Sequence, residues 1–285
     1  MPFERAAIVG VGLIGGSLAL AARAAGLIGE VVGLGRSAAN LDVARQRGII
    51  DHAVQDPAAI GPVDLVVLAV PVRSTARMAA ALLPHLRPGT VVTDVGSVKG
   101  EVVAQCEAAL PADRPFVGGH PIAGSERAGA AAADAGLFRG APCVLTPTAR
   151  TDATALVAVR ALWEGVGARV SEMTPAAHDR ALAWVSHLPH VVAYALVGAL
   201  AGADGQLAAL AGGSWRDATR VAASPAELWR DIFLANREAV LAATDAFGAE
   251  VARLRAALAA GDDPALLALL ERAVAARGAG QGGGR

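Results

Sequence analysis

Short apolar runs alternate with longer amphipathic stretches through the first part of the chain. The runs are rich in β-branched residues and are continuously apolar, which is typical of strands buried on both faces of a parallel sheet. The stretches between them have the periodicity of helices. Strands are predicted at Ala6–Val9, Val31–Leu34, Leu65–Val70, Val91–Asp94, Phe116–Gly118, Cys143–Thr146 and Arg169–Ser171. Helices are predicted at Ile14–Ala25, Ala38–Arg47, Ser74–Leu83, Val98–Leu110 and Thr154–Gly165.

The pattern changes after residue 172, where the strand signals stop. Thr174 followed by Pro175 predicts the start of a helix, because threonine caps free backbone amides and proline suits the first turn. Further helices are predicted at Ala176–Val185, Leu188–Ala201, Leu207–Leu210, Pro225–Phe247 and up to about Ala276. We therefore expect an α/β domain over 1–172, an all-helical domain over 173–276 and a glycine-rich, disordered tail over 277–285.

Composition and charge argue against several classes of function. The formal net charge is −1 and no basic stripe is interleaved with aromatic residues, so nucleic acid is not the expected partner. No unbroken apolar stretch reaches the roughly 20 residues that span a membrane, and Met1–Val9 has the pattern of a first strand rather than of a secretion signal. Cys106 and Cys143 are too few for a disulfide framework or a zinc cluster. A cytoplasmic protein is expected, and the apolar helical domain predicts a homodimer.

A glycine-rich turn follows the first predicted strand and begins the first predicted helix. It reads Gly10-Val11-Gly12-Leu13-Ile14-Gly15. Glycines at this spacing allow a tight turn, a close approach to a pyrophosphate and close packing of helix on strand, and the helix N-terminus attracts the phosphates. The pattern predicts a Rossmann-type, mostly parallel sheet that binds a dinucleotide. The candidate cofactor-binding residues are Gly10, Gly12, Leu13, Ile14, Gly15, Arg36, Ser37, Val70 and Pro71.

The end of the second predicted strand distinguishes NADP from NAD. An NAD enzyme usually places a carboxylate there to bind the ribose hydroxyls, but this strand ends Gly33-Leu34-Gly35-Arg36-Ser37. Glycine leaves room for a 2′-phosphate, and arginine followed by serine can bind it. An NADP preference is predicted. The alternative is that Arg36 points to solvent and NAD binds without the acid.

Three later segments carry polar groups that a packed core does not need. Asp94–Lys99 lies where a strand gives way to a helix, and it contains Ser97 and Lys99, the single lysine of the chain. Ser97 can bind a ligand or simply cap the helix. His120 follows a glycine pair at a strand end, which predicts an exposed and mobile histidine that can act as a base. His187 and His190 lie in the third segment, Ser186–His190. A histidine-rich zinc site is the less supported alternative, because no thiolate or spaced carboxylate accompanies these rings.

Together these segments resemble the prephenate/arogenate dehydrogenase family of tyrosine biosynthesis. The resemblance runs from about Ile8 to about Phe233, and its most specific markers read His-Pro-Ile-Ala-Gly-Ser-Glu, Ser-His-Leu-Pro-His and Arg-Asp-Ala-Thr-Arg. It implies an oxidoreductase that transfers a hydride from a cyclohexadienyl ring to NAD(P)⁺ while carbon dioxide leaves. It also implies a dimer formed through the helical domain.

The resemblance implies roles for individual residues. His120 matches the catalytic histidine, and Ser97 matches a serine that contacts the substrate hydroxyl. Arg220 matches an arginine that holds a substrate carboxylate. The other matched positions around the substrate are His190, His178, Ser125, Glu126 and Trp229, with Trp229 supplied by a second subunit.

The sequence leaves the substrate and two rival classes open. Glu126 could pair with the ammonium of arogenate, but Arg127 could neutralise that charge, so prephenate, arogenate or both are possible. A β-hydroxyacid dehydrogenase would need a lysine in its helical domain, and this chain has none after Lys99. A non-catalytic NADP(H) sensor would have no use for His120, Ser97 and Arg220 together.

Overall fold

The computed structural model describes residues 3–125, 127–201 and 210–281. By internal contacts the chain divides into two compact units, Met1–Arg237 and Glu238–Arg285. The last strand ends at Glu172, so the change from strands to helices falls where the apolar pattern changes.

A six-stranded sheet forms the centre of the first unit. Its strands lie in the order β3-β2-β1-β4-β5-β6 and pair in parallel, which is the strand order of dinucleotide-binding domains. The strands are β1 (Phe3–Val9), β2 (Ile28–Leu34), β3 (His52–Val54), β4 (Leu65–Leu68), β5 (Val91–Asp94) and β6 (Phe116–Val117). The helices are α1 (Leu13–Ala24), α2 (Ala38–Gln46), α3 (Thr75–Leu82), α4 (Gly100–Ala109) and α5 (Ala153–Gly165).

Alternate residues of the central strands enter two different apolar clusters. Ile8 and Val67 pack in one cluster, whereas Ala7 and Val66 pack in the other. Side chains alternate across a strand, so apolar residues on both faces require a sheet that is covered on both sides. The continuous apolar runs of the sequence are explained by this burial.

A second, three-stranded sheet follows. It contains β7 (Gly119–Pro121), β8 (Pro142–Leu145) and β9 (Arg169–Glu172), with β7 antiparallel and β9 parallel to β8. Neither β7 nor β3 was predicted. His120 pairs with Val144 in this sheet and is only 8% exposed, so the prediction of an exposed, mobile histidine is wrong. The pairing of β7 with β8 fixes the backbone of His120, and the glycine pair before it gave no strand signal in the sequence.

The helical part begins as predicted. The Thr174 hydroxyl accepts a hydrogen bond from Ala177 N at 3.2 Å, and Pro175 occupies the first turn of α6. The remaining helices are α6 (Pro175–Leu182), α7 (Leu188–Ala201), α8 (Gly213–Thr219), α9 (Ala226–Ala235), α10 (Arg237–Ala260) and α11 (Asp263–Gln281).

Two predictions for this part change, and a third falls mostly outside the described residues. The single helix expected over 225–247 is interrupted at Asn236, which leaves helical geometry (φ −114°, ψ 33°). The helix expected at 207–210 lies, except for Leu210, outside the described residues. The last helix continues to Gln281 instead of ending near Ala276, because a glycine lowers helix propensity without breaking the hydrogen-bond ladder. Residues 282–285 of the expected tail lie outside the described residues.

A π-helical turn, Ala183–His187, joins α6 to α7. His178 and His190 are twelve residues apart, which in an unbroken α-helix places them roughly 120° apart around the axis. A π turn accommodates one extra residue, so the spacing becomes equivalent to about three full turns. The π turn therefore brings both histidines to the same face.

By length and composition alone, the helical stretch Pro175–Ala201 is apolar enough to cross a membrane. It nevertheless carries His178 and Asp179, which are buried and hydrogen-bonded to His120 and to the start of α4. In the structure this stretch is therefore part of the folded first unit.

A buried ion pair joins the two sheets. Lys99 Nζ donates to Asp94 Oδ2 and to Gly119 O, the latter at 2.9 Å. The Asp94 carboxylate also accepts hydrogen bonds from Gly119 N at 3.1 Å and Gly96 N at 2.8 Å. Both charged side chains are fully buried. Since Asp94 ends β5 and Gly119 begins β7, this pair fixes the second sheet against the first.

We expect Lys99→Met to lower the free energy of unfolding by about 3–5 kcal/mol, because it leaves the Asp94 charge buried without its partner. Urea unfolding followed by circular dichroism measures the loss. Lys99→Met/Asp94→Asn should be more stable than Lys99→Met, since no charge then remains buried. The matched control is Arg87→Met, which removes an exposed ion pair with Asp64 and should cost less than about 1 kcal/mol. Equal losses for Lys99→Met and Arg87→Met would contradict the role of the buried pair.

Candidate active site

The glycine turn forms a cradle that side chains would fill. Gly10 has φ +94°, and a Cβ there would lie 2.3 Å from Ala69 O. A Cβ on Gly15 would lie 2.4 Å from Gly10 O. A Cβ on Gly12 would instead have no described atom within 4 Å, so this backbone faces open space. Gly12 precedes α1, whose first N–H groups can bind phosphate. The turn therefore fits a dinucleotide pyrophosphate.

The other predicted residues of this cradle lie around the turn. Leu13 and Ile14 form the half-buried start of α1. Val70 follows β4, and its Cγ1 is 3.3 Å from the position of a Cβ on Gly10. Pro71 comes next and precedes a 3-10 turn. The structure thus brings the carboxyl ends of β1 and β4 together at the point where the strand order reverses, where ligands bind in such sheets.

Arg36 and Ser37 lie between β2 and α2, and both are exposed. The Ser37 hydroxyl accepts a hydrogen bond from Asn40 N at 3.2 Å and so caps α2, but its own proton remains available to a ligand. The Arg36 guanidinium is exposed beside this N-terminus.

The glycines at the end of β2 do not create the space that was predicted for a 2′-phosphate. A Cβ on Gly33 would lie 2.6 Å from Ile50 Cδ1, so Gly33 is needed for core packing. A Cβ on Gly35 would lie 3.3 Å from Leu41 Cδ2. Any 2′-phosphate would therefore be bound by exposed groups at the surface rather than in a pocket left by glycine.

Ser97 is not a helix cap. Helix α4 begins at Gly100, and its free amides are capped by a distant carboxylate: Asp179 accepts hydrogen bonds from Lys99 N at 2.8 Å and Gly100 N at 2.7 Å. Ser97 is half-buried in the loop before this helix. Its hydroxyl has no partner among the described residues, which leaves it available to a ligand.

His120, His178 and Asp179 form a chain of hydrogen bonds. His120 Nδ1 is 2.8 Å from His178 Nε2, and His178 Nδ1 is 2.7 Å from Asp179 Oδ1. His178 is fully buried, and the two rings meet edge to face. Strand β7 thus supplies the first member of the chain, and helix α6 supplies the other two.

If each imidazole carries one proton, the donors and acceptors along these two hydrogen bonds can be arranged in only one way. The Asp179 carboxylate can only accept, so His178 Nδ1–H donates to it and His178 Nε2 accepts from His120 Nδ1–H. His120 Nε2 then carries a lone pair. Burial, His178, Lys99 and His187 lower the pKa of His120 well below its usual 6.5. Burial raises the pKa of Asp179, but hydrogen bonds from His178, Lys99 N and Gly100 N outweigh it and lower the pKa overall.

Trp229 stacks on His190 within one chain. The ring centroids are 3.3 Å apart and the planes differ by 20°. Trp229 of α9 therefore contacts a histidine of its own chain, and its supply to the site by a second subunit stays a prediction. His190 Nδ1–H donates to Ser186 O at 2.8 Å, so Nε2 again carries the lone pair. Burial and the nearby Arg220 charge lower the pKa of His190, although the Ser186 hydrogen bond opposes them.

His187 is fully buried in the π turn and does not act as a helix cap. Asn236 Nδ2 donates to His187 Nδ1 at 3.1 Å and to Asp179 O at 2.8 Å. Nδ1 therefore accepts, and the proton lies on Nε2. Burial is the main cause that lowers the pKa of His187 to about 4. Asn236, where the helix is interrupted, therefore holds His187 in its neutral form through this hydrogen bond.

The structure does not bring every predicted residue into this group. Ser125 is exposed, and its hydroxyl accepts a hydrogen bond from Arg127 N at 3.2 Å. Arg220 is exposed but close enough to lower the pKa of His190. Glu126 lies outside the described residues.

Sequence reasoning missed three polar residues that organise the site. They are Asp94, Asp179 and Asn236. Asp179 directly follows His178, and an acid beside a histidine in a helix is a signal that could have suggested the pair. Asn236 gives no such signal, because it lies inside an apparently continuous helical pattern.

Comparison with known proteins identifies the family to which this site belongs. Residues 18–172 match the family model described as prephenate dehydrogenase, nucleotide-binding domain, and residues 174–272 match prephenate dehydrogenase, dimerization domain. A cyclohexadienyl dehydrogenase of Zymomonas mobilis is 40% identical over 93% of this chain and 92% of that protein. A prephenate dehydrogenase of Bacillus subtilis is 35% identical over 87% of this chain and 68% of that protein.

Solved structures agree. Prephenate dehydrogenase from Aquifex aeolicus, in complex with hydroxyphenyl propionate and NAD⁺, has a TM-score of 0.91 and 37% identity over 96% of this chain and 97% of that chain. Arogenate dehydrogenase from Synechocystis has a TM-score of 0.81 and 34% identity over 96% of this chain and 99% of that chain. With both domains matched in order, the chain belongs to the prephenate dehydrogenase family of oxidoreductases.

Proposed function

We propose that this protein oxidatively decarboxylates prephenate, arogenate or both. The observation that carries the proposal is the hydrogen-bond chain from His120 through His178 to Asp179, which leaves Nε2 of His120 unprotonated when each ring carries one proton. Family membership supports it and does not favour a β-hydroxyacid dehydrogenase or a sensor. NAD(P)⁺ supplies the hydride acceptor when it is bound.

His120 acts as the base. The substrate hydroxyl gives its proton to Nε2 as the C4 hydrogen leaves as hydride, and the C–O bond becomes a carbonyl. The bond between the ring and its carboxylate then breaks, carbon dioxide departs, and the electron pair of that bond moves through the ring to the carbonyl oxygen. That oxygen takes the proton back from His120 Nε2, so the aromatic product is a phenol. The positive charge that develops on His120 is shared with His178 and balanced by the Asp179 carboxylate.

The remaining roles are those that the family resemblance implies. The Ser97 hydroxyl, free of any helix-capping duty, contacts the substrate hydroxyl. Arg220 binds a substrate carboxylate, for which a guanidinium offers two parallel donors. Trp229 holds His190 in place by stacking. By the same resemblance, Ser125 and Glu126 are assigned to the surroundings of the substrate side chain.

The assembly is a cytoplasmic homodimer. Large apolar side chains are exposed on the helical part of the first unit: Trp184, Val185, Leu196, Val197, Leu228 and Leu234. A monomer rarely exposes so many on neighbouring helices. The matched model for residues 174–272 is described as a dimerization domain, which supports the same assembly.

NADP is the proposed cofactor, with NAD as an alternative. The exposed Arg36 guanidinium, the Ser37 hydroxyl and the N-terminus of α2 together offer charge and donors to a 2′-phosphate. The end of β2 and the residues directly after it, 33–37, contain no carboxylate that could bind ribose hydroxyls.

A specific observation favours arogenate among the two substrates. Because His190 Nδ1–H is held by Ser186 O, Nε2 can only accept a hydrogen bond while the ring is neutral. The ammonium of arogenate donates hydrogen bonds, whereas the keto oxygen of prephenate only accepts them. With Arg220 on the carboxylate, neutral His190 suits the amino acid side chain.

We expect His120→Ala to reduce kcat by about 100-fold or more with little change in the Kd for cofactor, because only the proton acceptor is lost. NAD(P)H formation at 340 nm gives kcat, and fluorescence titration gives Kd. His52→Ala, at an exposed histidine paired with Glu30, is the matched control and should retain activity. Near-normal turnover by His120→Ala would refute the assignment of the base.

Arg36→Ala should raise the KM for NADP⁺ about tenfold or more and leave the KM for NAD⁺ nearly unchanged, since only NADP carries the 2′-phosphate. Arg45→Ala is the matched control, because this exposed arginine of α2 pairs with Asp42 at 3.5 Å. If wild-type protein has the higher kcat/KM with NAD⁺, the NADP preference is wrong.

The ratio of kcat/KM for arogenate to that for prephenate should rise with pH. Protonated His190 presents a donor at Nε2 and repels an ammonium, and neutral His190 presents an acceptor. Burial and Arg220 lower the pKa of His190 below its usual 6.5, so the rise should fall below pH 6.5. Titration of His120 affects both substrates and cancels in the ratio. A ratio that shows no rise with pH anywhere below pH 6.5 would contradict the role of His190.

A further inference from the structure

An exposed loop continues from the strand that carries His120. Residues 122–125 and 127–129 connect β7 to the 3-10 turn Ala130–Ala132, and we call them the substrate-side loop. Ser125 and Arg127 are exposed in this loop. One end of the loop is fixed by the pairing of β7 with β8, so its conformation depends on how the other end is held.

One asparagine, Asn40, contacts both that other end and the cofactor cradle. Asn40 Nδ2 donates to Val11 O, inside the glycine turn, at 2.7 Å. Asn40 Oδ1 accepts from Ala130 N at 2.8 Å. Both ends of the amide are thereby used, which fixes its orientation. Asn40 lies in the first turn of α2, where its own N–H donates to Ser37 Oγ.

The backbone beside this contact is adapted to it. Gly129 has φ +79°, a conformation that side chains disfavour, and a Cβ there would lie 3.1 Å from Asn40 Oδ1. The loop therefore approaches the asparagine closely at the point where it ends.

The segment after Ala130 is held by hydrogen bonds to α1 and to the residue that follows α2. The guanidinium of Arg47, the residue that follows α2, donates to Ala130 O and, at 3.0 Å, to Ala133 O. Asp134 N donates to Ser17 Oγ of α1 at 2.8 Å. These contacts place the loop end on α1 and α2, and Asn40 adds a direct connection from there to the glycine turn.

We propose that Asn40 is a positioning residue that couples occupancy of the dinucleotide cradle to the order of the substrate-side loop. The inference depends on dinucleotide binding in the proposed function. Phosphates bound at the turn restrain Val11 and Gly12, the hydrogen bond to Val11 O restrains the Asn40 amide, and the amide restrains Ala130 N and the loop before it. Coupling of this kind is reciprocal, so an ordered loop also strengthens cofactor binding.

Trypsin cleavage after Arg127 tests this coupling without any substrate. In wild-type protein, saturating NADP⁺ should slow cleavage at this bond about tenfold, a common size for coupling between two sites. In Asn40→Ala, the same occupancy, confirmed by fluorescence, should slow it less than about twofold. Asp42→Ala, at an exposed residue of the same helix, is the matched control and should behave as wild type.

A second variant separates the two contacts of the amide. Asn40→Asp retains an acceptor for Ala130 N but replaces the donor to Val11 O with a carboxylate oxygen. If Asn40 only anchors the loop, NADP⁺ should still slow trypsin cleavage in this variant. If Asn40 couples the two sites as proposed, NADP⁺ should no longer slow it.

Equal protection in wild type and Asn40→Ala, or none in wild type at full occupancy, would overturn the proposal. Wild-type protein that binds neither NADP⁺ nor NAD⁺ would instead contradict the proposed function itself. The occupancy measurement distinguishes these outcomes.

Discussion

The buried pair of Lys99 and Asp94 is the constraint on which the site depends. Both charges lie in the interior, where removing them from water is costly unless hydrogen bonds satisfy them. Here the carboxylate accepts from two backbone amides, and the ammonium also donates to Gly119 O. These bonds join the end of β5 to the start of β7. His120 is the next residue, so its position against the dinucleotide sheet is set by this pair.

A second carboxylate connects the helical part to the same point. Asp179 caps α4 through Lys99 N and Gly100 N and also fixes the direction of the hydrogen bonds through His178 to His120. Helix packing, helix capping and the tautomer of the base are therefore linked by a single side chain. A change in the packing of α6 on α4 would alter the base itself as well as the stability of the contact.

The sequence predicted the parts that depend on local pattern. Continuous apolar runs and the glycine turn indicated the parallel sheet and its cofactor cradle, and Thr174-Pro175 indicated the start of α6. It did not predict that His120 is buried in a second sheet, that Trp229 stacks on His190 of its own chain or that Asn236 interrupts a helix. Each of these depends on contacts between residues far apart in the sequence, such as Asp179 with Lys99 or Asn236 with His187, which no local periodicity encodes.

The histidines of the site have different hydrogen-bond partners, and these partners determine which ring can accept a proton during the reaction. Asp179 fixes the proton of His178, Ser186 O fixes that of His190, and Asn236 fixes that of His187. Burial lowers the pKa of His187 and His190, so a proton added there is disfavoured. Among the described residues, His120 is the histidine that is connected through another ring, His178, to the buried Asp179 carboxylate, which can balance a positive charge. Although burial lowers its pKa as well, the structure provides a counter-charge at the one histidine where a proton must arrive during the reaction.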